Sequence, residues 1–398
     1  MKSFAVATFL LLLCGLAPAR AAESSSDAAL VAALRADARR YLSTRKSIEH
    51  ISAVSISVNL KGVPANINAT AGTTSYGGTV AVTPDNLFQI GSNTKSFTAV
   101  ALLQLEAEGK LNIEQTLGKW LPQYPAWKSV TIHRLLDMTS GIPTYDDEDS
   151  VMGAYARNPL RNWSANELIA AVYPKLKPKA GWIYSNTNYL LGQLIIEKVT
   201  GHTYAQEIRS RFLSKPSLGL NSTYYEENLY PASVSDRLVS GYFFSNDLGN
   251  APLKPLYGKD VRLDSVSWAQ GAGAILATPE DLTRWKRALY EGPLLAPKQR
   301  RELMTIVSLA TAKPIPTTTL KDPRGFGLGV AQSTMAGFGT FWFYEGETLG
   351  YRVLATWFPK PDTVVVIGVN SQPNAKDDAL GSVLMKSVHD TLHSFGKL

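Results

Sequence analysis

The chain is organised around residues 88–95, which read FQIGSNTK, and around the apolar run that follows at residues 97–105. A short strand-like segment ends at Gly91, and apolar residues then recur at helical spacing, so the pattern predicts a helix that begins near Ser92. A helix start places the serine hydroxyl at the positive end of the helix dipole. Lys95, three residues on, then lies on the same helical face, one turn above that hydroxyl. The pair predicts a nucleophile with a base beside it.

The Ser-x-x-Lys spacing also occurs at Ser43, near the end of a charged N-terminal helix, and at Ser394, in the C-terminal tail. Both of these pairs are interpreted as solvated surface. Only Ser92 and Lys95 combine a preceding glycine, a helix start and an apolar helix behind them. This makes residues 92 and 95 the candidate catalytic pair.

The first residues have the layout of a secretory signal. Lys2 precedes an apolar core at residues 4–16, a proline follows, and residues 19–21 read ARA. The pattern predicts a signal peptide over residues 1–21 and a periplasmic or secreted mature chain. The apolar run is too short to span a bilayer as a helix. Lipid attachment at Cys14 is the alternative, and Leu13 disfavours it, because a small residue is expected before the cysteine.

Residues 22–398 are expected to form a single catalytic domain without a later membrane span. Cys14 is the only cysteine, so the mature chain offers no disulfide, no thiolate nucleophile and no cysteine-based metal site, and we expect neither a cofactor nor a metal. The formal charge of +7 is spread without a polybasic block, which argues against a nucleic-acid partner. We expect a small-molecule or peptide substrate; the oligomeric state is open.

The predicted fold class is α+β. Helices are predicted at residues 28–46, 186–199, 204–213, 278–289 and 378–393, and strands at residues 51–60, 66–73, 326–330, 339–345, 351–358 and 363–369. The simplest assembly is an antiparallel sheet flanked by the N- and C-terminal helices, plus a mainly helical lobe. The α/β lobe would comprise about residues 22–85 and 322–398, and the helical lobe about residues 86–321. A cleft would lie between them, beside a polar surface loop at residues 144–163.

A second chemical stretch, residues 182–189, reads WIYSNTNY and stands just ahead of a predicted helix. Alone, Tyr184 is more simply a half-buried aromatic residue and Asn186 a helix N-cap. Together with Ser-x-x-Lys, however, Tyr-Ser-Asn resembles the serine β-lactamase and penicillin-binding-protein superfamily, in its branch of class C β-lactamases, D-Ala-D-Ala carboxypeptidases and family VIII esterases. The resemblance continues through residues 131–143, 271–282 and 362–371 and covers about residues 50–395.

The third motif of that superfamily, His-x-Gly or Lys-Thr-Gly, falls on Tyr344, Glu345 and Gly346, counted back from Gly350-Tyr351. Here the chain departs from the family pattern. It has neither the histidine nor the lysine, and a glutamate replaces the threonine.

The resemblance implies a role for each matching residue. Ser92 would attack the carbonyl and form an acyl-enzyme, and Lys95 would take its proton, with an amine pKa lowered by burial and neighbouring positive charge. Tyr184 would share the base role and pass the proton to the leaving group. Asn186 would hold Lys95 or the substrate amide. The backbone N–H groups of Ser92 and Glu347 would form the oxyanion hole.

The departure in the third motif bears on the substrate, because Glu345 would repel a substrate carboxylate that the family motif receives. The expected substrates are therefore esters, or amides lacking that carboxylate, including amino-terminal D-residues whose ammonium group Glu345 or Glu347 could meet. A D-alanyl-D-alanine carboxypeptidase or class C-like β-lactamase is the first alternative, and a non-catalytic penicillin-binding sensor the second. The chain contains no Gly-x-Ser-x-Gly, His-Glu-x-x-His or phosphate-loop motif.

Overall fold

The computed structural model describes residues 25–175 and 181–398, so the predicted signal peptide lies outside the described residues. In chain order, the strands of this part of the chain are β1 Ala53–Asn59, β2 Ile67–Gly72, β3 Phe88–Gln89, β4 Thr223–Tyr224, β5 Tyr242–Phe243, β6 Leu276–Ala277, β7 Ile306–Ser308, β8 Pro314–Ile315, β9 Arg324–Phe326, β10 Ala331–Met335, β11 Gly339–Thr348, β12 Tyr351–Phe358, β13 Thr363–Val369 and β14 Ser371–Gln372. The α-helices of the same part are α1 Ser25–Glu49, α2 Lys95–Ala107, α3 Leu117–Trp120, α4 Ile132–Leu136, α5 Asp149–Arg157, α6 Ala165–Ala170, α7 Thr187–Thr200, α8 Tyr204–Ile208, α9 Ala232–Ser235, α10 Gln270–Gly273, α11 Pro279–Tyr290, α12 Pro297–Met304 and α13 Lys386–Ser394.

A single antiparallel sheet joins the two ends of the chain. Within the described residues it contains nine strands in the order β2-β1-β13-β12-β11-β10-β9-β7-β8. The register pairs Val54 of β1 with Val369 of β13, and Trp342 of β11 with Trp357 of β12. The strands are rich in β-branched residues, which suit a pleated sheet covered on both faces. The predicted fold class, an antiparallel sheet flanked by the terminal helices plus a helical lobe, is confirmed.

The sheet separates two hydrophobic cores because successive side chains of a strand point to opposite faces. Val365 and Ile367 of β13 face α1 and α13, which cover one side. Val364 and Val366 face the other side, where α2, α7, α11 and their connections form the larger core. Strand β13 is fully buried as a result. Among the helices described, none combines the length and the apolar character needed to cross a bilayer.

Helix α11 follows the predicted start signal. Thr278 caps it by accepting a hydrogen bond from the Asp281 N–H, and Pro279 occupies the first turn. The predicted terminal helices and the predicted strands β1, β2, β12 and β13 are also present. The last helix begins with π-helical winding at Leu380–Met385 before α13. Strands β7 and β8 extend the sheet with residues from the stretch that the sequence assigns to the helical lobe.

Two local predictions are wrong. Residues 144–163 are not a surface loop throughout, because they contain α5, whose Val151 and Tyr155 are buried. The helix is short and its flanks are polar, so its apolar face is poorly visible in the sequence. The predicted strand at residues 326–330 is instead the turn between β9 and β10, where Gly329 has a φ of +73° and the Gly327 N–H binds the Val330 carbonyl.

Candidate active site

The predicted nucleophile lies on a tight turn between β3 and α2. Residues Gly91–Thr94 form one 3-10 turn, and α2 continues from Lys95. Gly91 has a φ of +49°, and a Cβ atom built there would approach the Glu347 backbone nitrogen to 2.6 Å. A Cβ atom on Gly346 would stand 1.9 Å from the Ile90 carbonyl oxygen. The two glycines therefore allow β11 to close against the nucleophile turn.

This edge of β11 has no strand partner among the described residues. Strand β10 pairs with β11 only as far as Phe343, whereas β12 pairs with it through Thr348. Residues 344–347 thus have one unpaired edge that faces the turn carrying Ser92. The close approach of Gly91 to Glu347 brings together the two backbone segments that the sequence assigns to the oxyanion hole.

The structure brings the predicted nucleophile and base into direct contact. Lys95 Nζ lies 2.8 Å from Ser92 Oγ, 2.6 Å from Asn186 Oδ1 and 2.9 Å from the Ala272 carbonyl oxygen. Its side chain is fully buried, and this burial lowers the pKa of Lys95 to about 7, while the charge of Asp146 opposes the shift. The predicted neighbouring positive charge is not what lowers this pKa, because burial alone does so.

Near pH 7 the Lys95 amine is therefore available in its neutral form. A neutral amine has one lone pair and two N–H donors. The two carbonyl-type acceptors, on Asn186 and Ala272, take the N–H donors, and the lone pair then points to the Ser92 hydroxyl. This is the arrangement of a general base.

Tyr184 flanks the serine on its other side. Its Oη atom lies 2.5 Å from Ser92 Oγ, and Lys95 Nζ lies 4.8 Å from the centre of its ring. Burial raises the pKa of Tyr184 above its ordinary value, and the hydroxyl groups of Ser92 and Tyr344 oppose this shift. A phenol with a raised pKa keeps its proton, which suits Tyr184 to proton donation better than to the base role.

Asn186 is fixed in the orientation that this arrangement needs. It stands at the start of α7, and its Nδ2 donates to Asp146 Oδ2 over 2.8 Å, which leaves Oδ1 facing Lys95. The Thr144 hydroxyl accepts a hydrogen bond from the Asn186 backbone N–H and donates one to the Asp146 carboxylate. The sequence did not single out Asp146 or Ala272. The sequence signals were the prediction that residues 144–163 lie beside a site and the resemblance over residues 271–282.

The third-motif residues divide between the interior and the cleft, as the alternation of a strand requires. Tyr344 is buried beside Tyr184, whereas Glu345 and Glu347 line the cleft that contains Ser92. Asp378, which the sequence did not single out, joins these two glutamates, and oxygen atoms of the three carboxyl groups lie within 4.8 Å of one another. Such a group could also hold a cation.

The close carboxyl groups change the charge expected at this end of the cleft. Burial, with the negative charges of Asp378 and Glu347, raises the pKa of Glu345 to about 8. Desolvation and Asp378 also raise the pKa of Glu347. The group therefore retains a proton near pH 7. The predicted repulsion of a carboxylate belongs to the three groups together and not to an isolated Glu345.

The cleft has a volume of about 410 Å³ and is acidic. Its lining includes four acidic residues and, among the described residues, no lysine, arginine or histidine. The lining residues are Ser92, Asp146, Asp147, Met152, Tyr184, Asn186, Gly249, Asn250, Leu253, Trp268, Glu345, Glu347, Thr348, Leu349 and Gln372. This charge distribution favours a substrate that is cationic or neutral.

A family model described as Beta-lactamase matches residues 38–390. The chain belongs to the Beta-lactamase family. This family comprises serine hydrolases, and the residues that the sequence identified by resemblance are the ones that surround Ser92 in the structure.

Relatives in this family include penicillin-binding protein 4* of Bacillus subtilis, which is 28% identical over 243 residues, covering 58% of this chain and 51% of the relative. Protein flp of Staphylococcus aureus is 31% identical over 217 residues, which are 52% of this chain and 39% of that protein. The chain thus spans about half or less of these two relatives.

Similar solved structures include a D-stereospecific amidohydrolase from Streptomyces sp., with 25% identity, a TM-score of 0.66 and coverage of 87% of this chain and 94% of that one. The D-amino acid amidase from Ochrobactrum anthropi SV3 has 22% identity, a TM-score of 0.73 and coverage of 93% and 99%. The second likeness establishes the shared fold.

Proposed function

We propose that this chain is a serine hydrolase that forms an acyl-enzyme on Ser92 and cleaves esters or amides. We propose further that its preferred substrates carry an ammonium group and lack a carboxylate beside the scissile bond, as amino-terminal D-residues do. The observation that carries the chemistry is the buried Lys95 amine 2.8 Å from Ser92 Oγ. The acidic cleft around this amine is the observation that supports the proposed substrate preference.

Acylation begins when neutral Lys95 takes the Ser92 hydroxyl proton while Oγ attacks the substrate carbonyl carbon. The backbone N–H groups of Ser92 and Glu347 stabilise the resulting oxyanion; one such donor is typically worth about 3 kcal/mol of barrier. Tyr184 gives its proton to the leaving group, and protonated Lys95 returns a proton to Tyr184. Water then attacks the acyl-enzyme by the reverse sequence and releases the acid.

The substrate preference follows from charge. Glu345, Glu347 and Asp378 stand at one end of the cleft, and Asp146 lies beside Asn186. A substrate ammonium group can neutralise this region, whereas a substrate carboxylate about 4 Å from a like charge costs on the order of 4 kcal/mol at an effective dielectric near 20. One solved structure with this fold is named a D-amino acid amidase and another a D-stereospecific amidohydrolase, which supports the same substrate class.

A matched pair of substrates tests this preference. D-Alanine p-nitroanilide and its N-acetyl derivative differ at the ammonium group and share the scissile bond. We expect the free amine to be cleaved with a kcat/KM at least about ten-fold higher. Ser92→Ala removes both activities. Faster release of terminal D-Ala from an N-acylated pentapeptide than cleavage of either anilide or of short acyl esters would show a carboxypeptidase instead.

The penicillin-binding relative favours one second candidate, a penicillin sensor or a slow acylator on the same fold. Labelling with fluorescent penicillin, with and without Ser92→Ala, followed by measurement of label release, separates these functions. A sensor keeps the label, a β-lactamase releases it quickly, and the hydrolase proposed above is labelled faster by a fluorophosphonate than by penicillin.

We also propose that the chain acts in the periplasm or outside the cell, on the basis of the signal-like residues 1–21. N-terminal sequencing of the exported protein should show Ala22 as the first residue. Retention of residues 1–21 on a cytoplasmic protein would contradict this localisation.

A further inference from the structure

Behind the active site, α11 buries a lysine that the proposed mechanism does not use. Lys286 is 1% exposed, and its Nζ atom has no hydrogen-bond partner among the described residues. The amine lies over the Tyr344 ring, with Nζ 5.8 Å from the ring centre. Burial lowers the pKa of Lys286 to about 7, so the amine is partly protonated near neutral pH.

An unpartnered amine in this position lowers the stability of the folded state. Burying an ammonium group or an unbonded amine destabilises a fold, and a side chain of similar length without the nitrogen would fit the same space at lower cost. Destabilising groups of this kind concentrate at functional sites, where activity offsets the loss of stability. The burial of Lys286 without a partner therefore indicates a role in the reaction.

Tyr344 connects this lysine to the nucleophile. Its side chain lies between Lys286 and Tyr184, and its hydroxyl group is close enough to lower the pKa of Tyr184 without forming a well-shaped hydrogen bond in the described residues. Tyr184 Oη in turn stands 2.5 Å from Ser92 Oγ. Lys286, Tyr344 and Tyr184 thus form a buried series that runs from α11 to the reacting atoms.

We propose that Lys286 is a positioning residue for proton donation: its buried amine lies over the Tyr344 ring and, when protonated, favours the negative charge that Tyr184 carries after it protonates the leaving group. In that step the Tyr184 O–H bond breaks, the leaving-group oxygen or nitrogen gains the proton, and protonated Lys95 then restores the phenol. A buried positive charge is effective there because the surrounding dielectric constant is low. The inference rests on the proposed acyl-enzyme chemistry of Ser92 but not on the ammonium preference.

Two esters of one acyl group provide the test. An ethyl ester leaves as an alkoxide that must be protonated, whereas a p-nitrophenyl ester leaves as a stable anion that needs no proton. In Lys286→Met we expect kcat/KM for the ethyl ester to fall about ten-fold and that for the p-nitrophenyl ester to stay within about two-fold. We expect the Tm to rise by about 2 °C or more because the buried amine is gone.

The exposed Lys198 on α7 provides a control, and Lys198→Met should leave both esters and the Tm unchanged. An equal loss on both esters together with a lower Tm, or failure to fold, would make Lys286 structural and overturn the proposal. Unchanged ethyl ester hydrolysis would also overturn it. Loss of the ammonium preference alone would overturn the substrate assignment and leave this result standing.

Discussion

The clearest prediction concerns Asp146, whose charge opposes the pKa shift that makes Lys95 a base. The two side chains are joined through the Asn186 amide by contacts of 2.6 and 2.8 Å. Unit charges roughly 6 Å apart interact by about 3 kcal/mol at an effective dielectric of about 20 and by about 0.7 kcal/mol at the dielectric of water, and we take an intermediate value of roughly 1.4 kcal/mol for this pair at the edge of the cleft. Asp146→Asn removes that interaction and preserves an acceptor for Asn186.

The direction of the expected pH shift follows from the role of Lys95 as the base. Removing a nearby negative charge lowers the pKa of Lys95, so more amine is neutral at low pH. The acidic midpoint of the kcat/KM profile should move from about pH 7 to about pH 6, since roughly 1.4 kcal/mol is a factor of ten. At pH 6 the neutral fraction then rises from about one-eleventh to about one-half, which makes the variant about five times faster there.

The assay uses p-nitrophenyl acetate, a neutral substrate that does not depend on the ammonium site, with nitrophenol release followed at its isosbestic wavelength. Asp147→Asn is the matched control, because Asp147 lines the same cleft but is not among the groups that shift Lys95. An acidic midpoint that stays in place, or that moves to higher pH, would refute the assignment of Lys95 as the titrating base.

Three further predictions follow from contacts described above. Glu347→Gln should raise KM for D-alanine p-nitroanilide about ten-fold and leave KM for p-nitrophenyl acetate unchanged, as measured by steady-state kinetics. Equal effects on both substrates would show that Glu347 does not bind the ammonium group. Gly346→Ala places a methyl group 1.9 Å from the Ile90 carbonyl oxygen, so it should lower both the Tm and the rate of fluorophosphonate labelling, whereas Gly337→Ala, at an open turn, should not slow labelling. Arg352→Met removes one of the two arginines that pair with the fully buried Glu49 carboxylate, at 2.7 Å, and leaves Arg45 and the Tyr41 hydroxyl in place. It should reduce the free energy of unfolding by about 3 kcal/mol in urea titrations; a loss below about 1 kcal/mol would show that Arg352 contributes little there.

The parts of the fold that the sequence predicted are those with a strong periodic signal. Strand β13 is a nearly continuous β-branched run, β12 is mostly apolar apart from Arg352, and α11 carries its cap and first-turn proline in adjacent positions. The wrong strand at residues 326–330 shows the limit of this signal. Gly327 and Gly329 interrupt an apolar segment, and the turn there is determined by the close approach of Gly329 to the Lys95 carbonyl oxygen, which no local pattern contains.

The candidate site likewise contains residues that the sequence predicted and residues that it did not. Ser92, Lys95, Tyr184 and Asn186 belong to short motifs, and the structure places them together within hydrogen-bond distances. Their supporting groups do not belong to motifs. The Ala272 carbonyl is a backbone atom, Asp378 comes from a connection after β14, and Lys286 resembles an ordinary helix residue in the sequence. Such residues become functional only through contacts between distant segments, which spacing along the chain does not encode.

The hydrogen-bond partners of the Lys95 amine come from three separate segments of the chain, at residues 92, 186 and 272. No fragment of the protein can assemble this environment by itself, so a reactive Ser92 exists only in molecules whose sheet and helices have docked. Stoichiometric labelling of that serine would consequently count correctly folded molecules in a preparation. It would give an internal standard for every variant described above, without knowledge of the natural substrate.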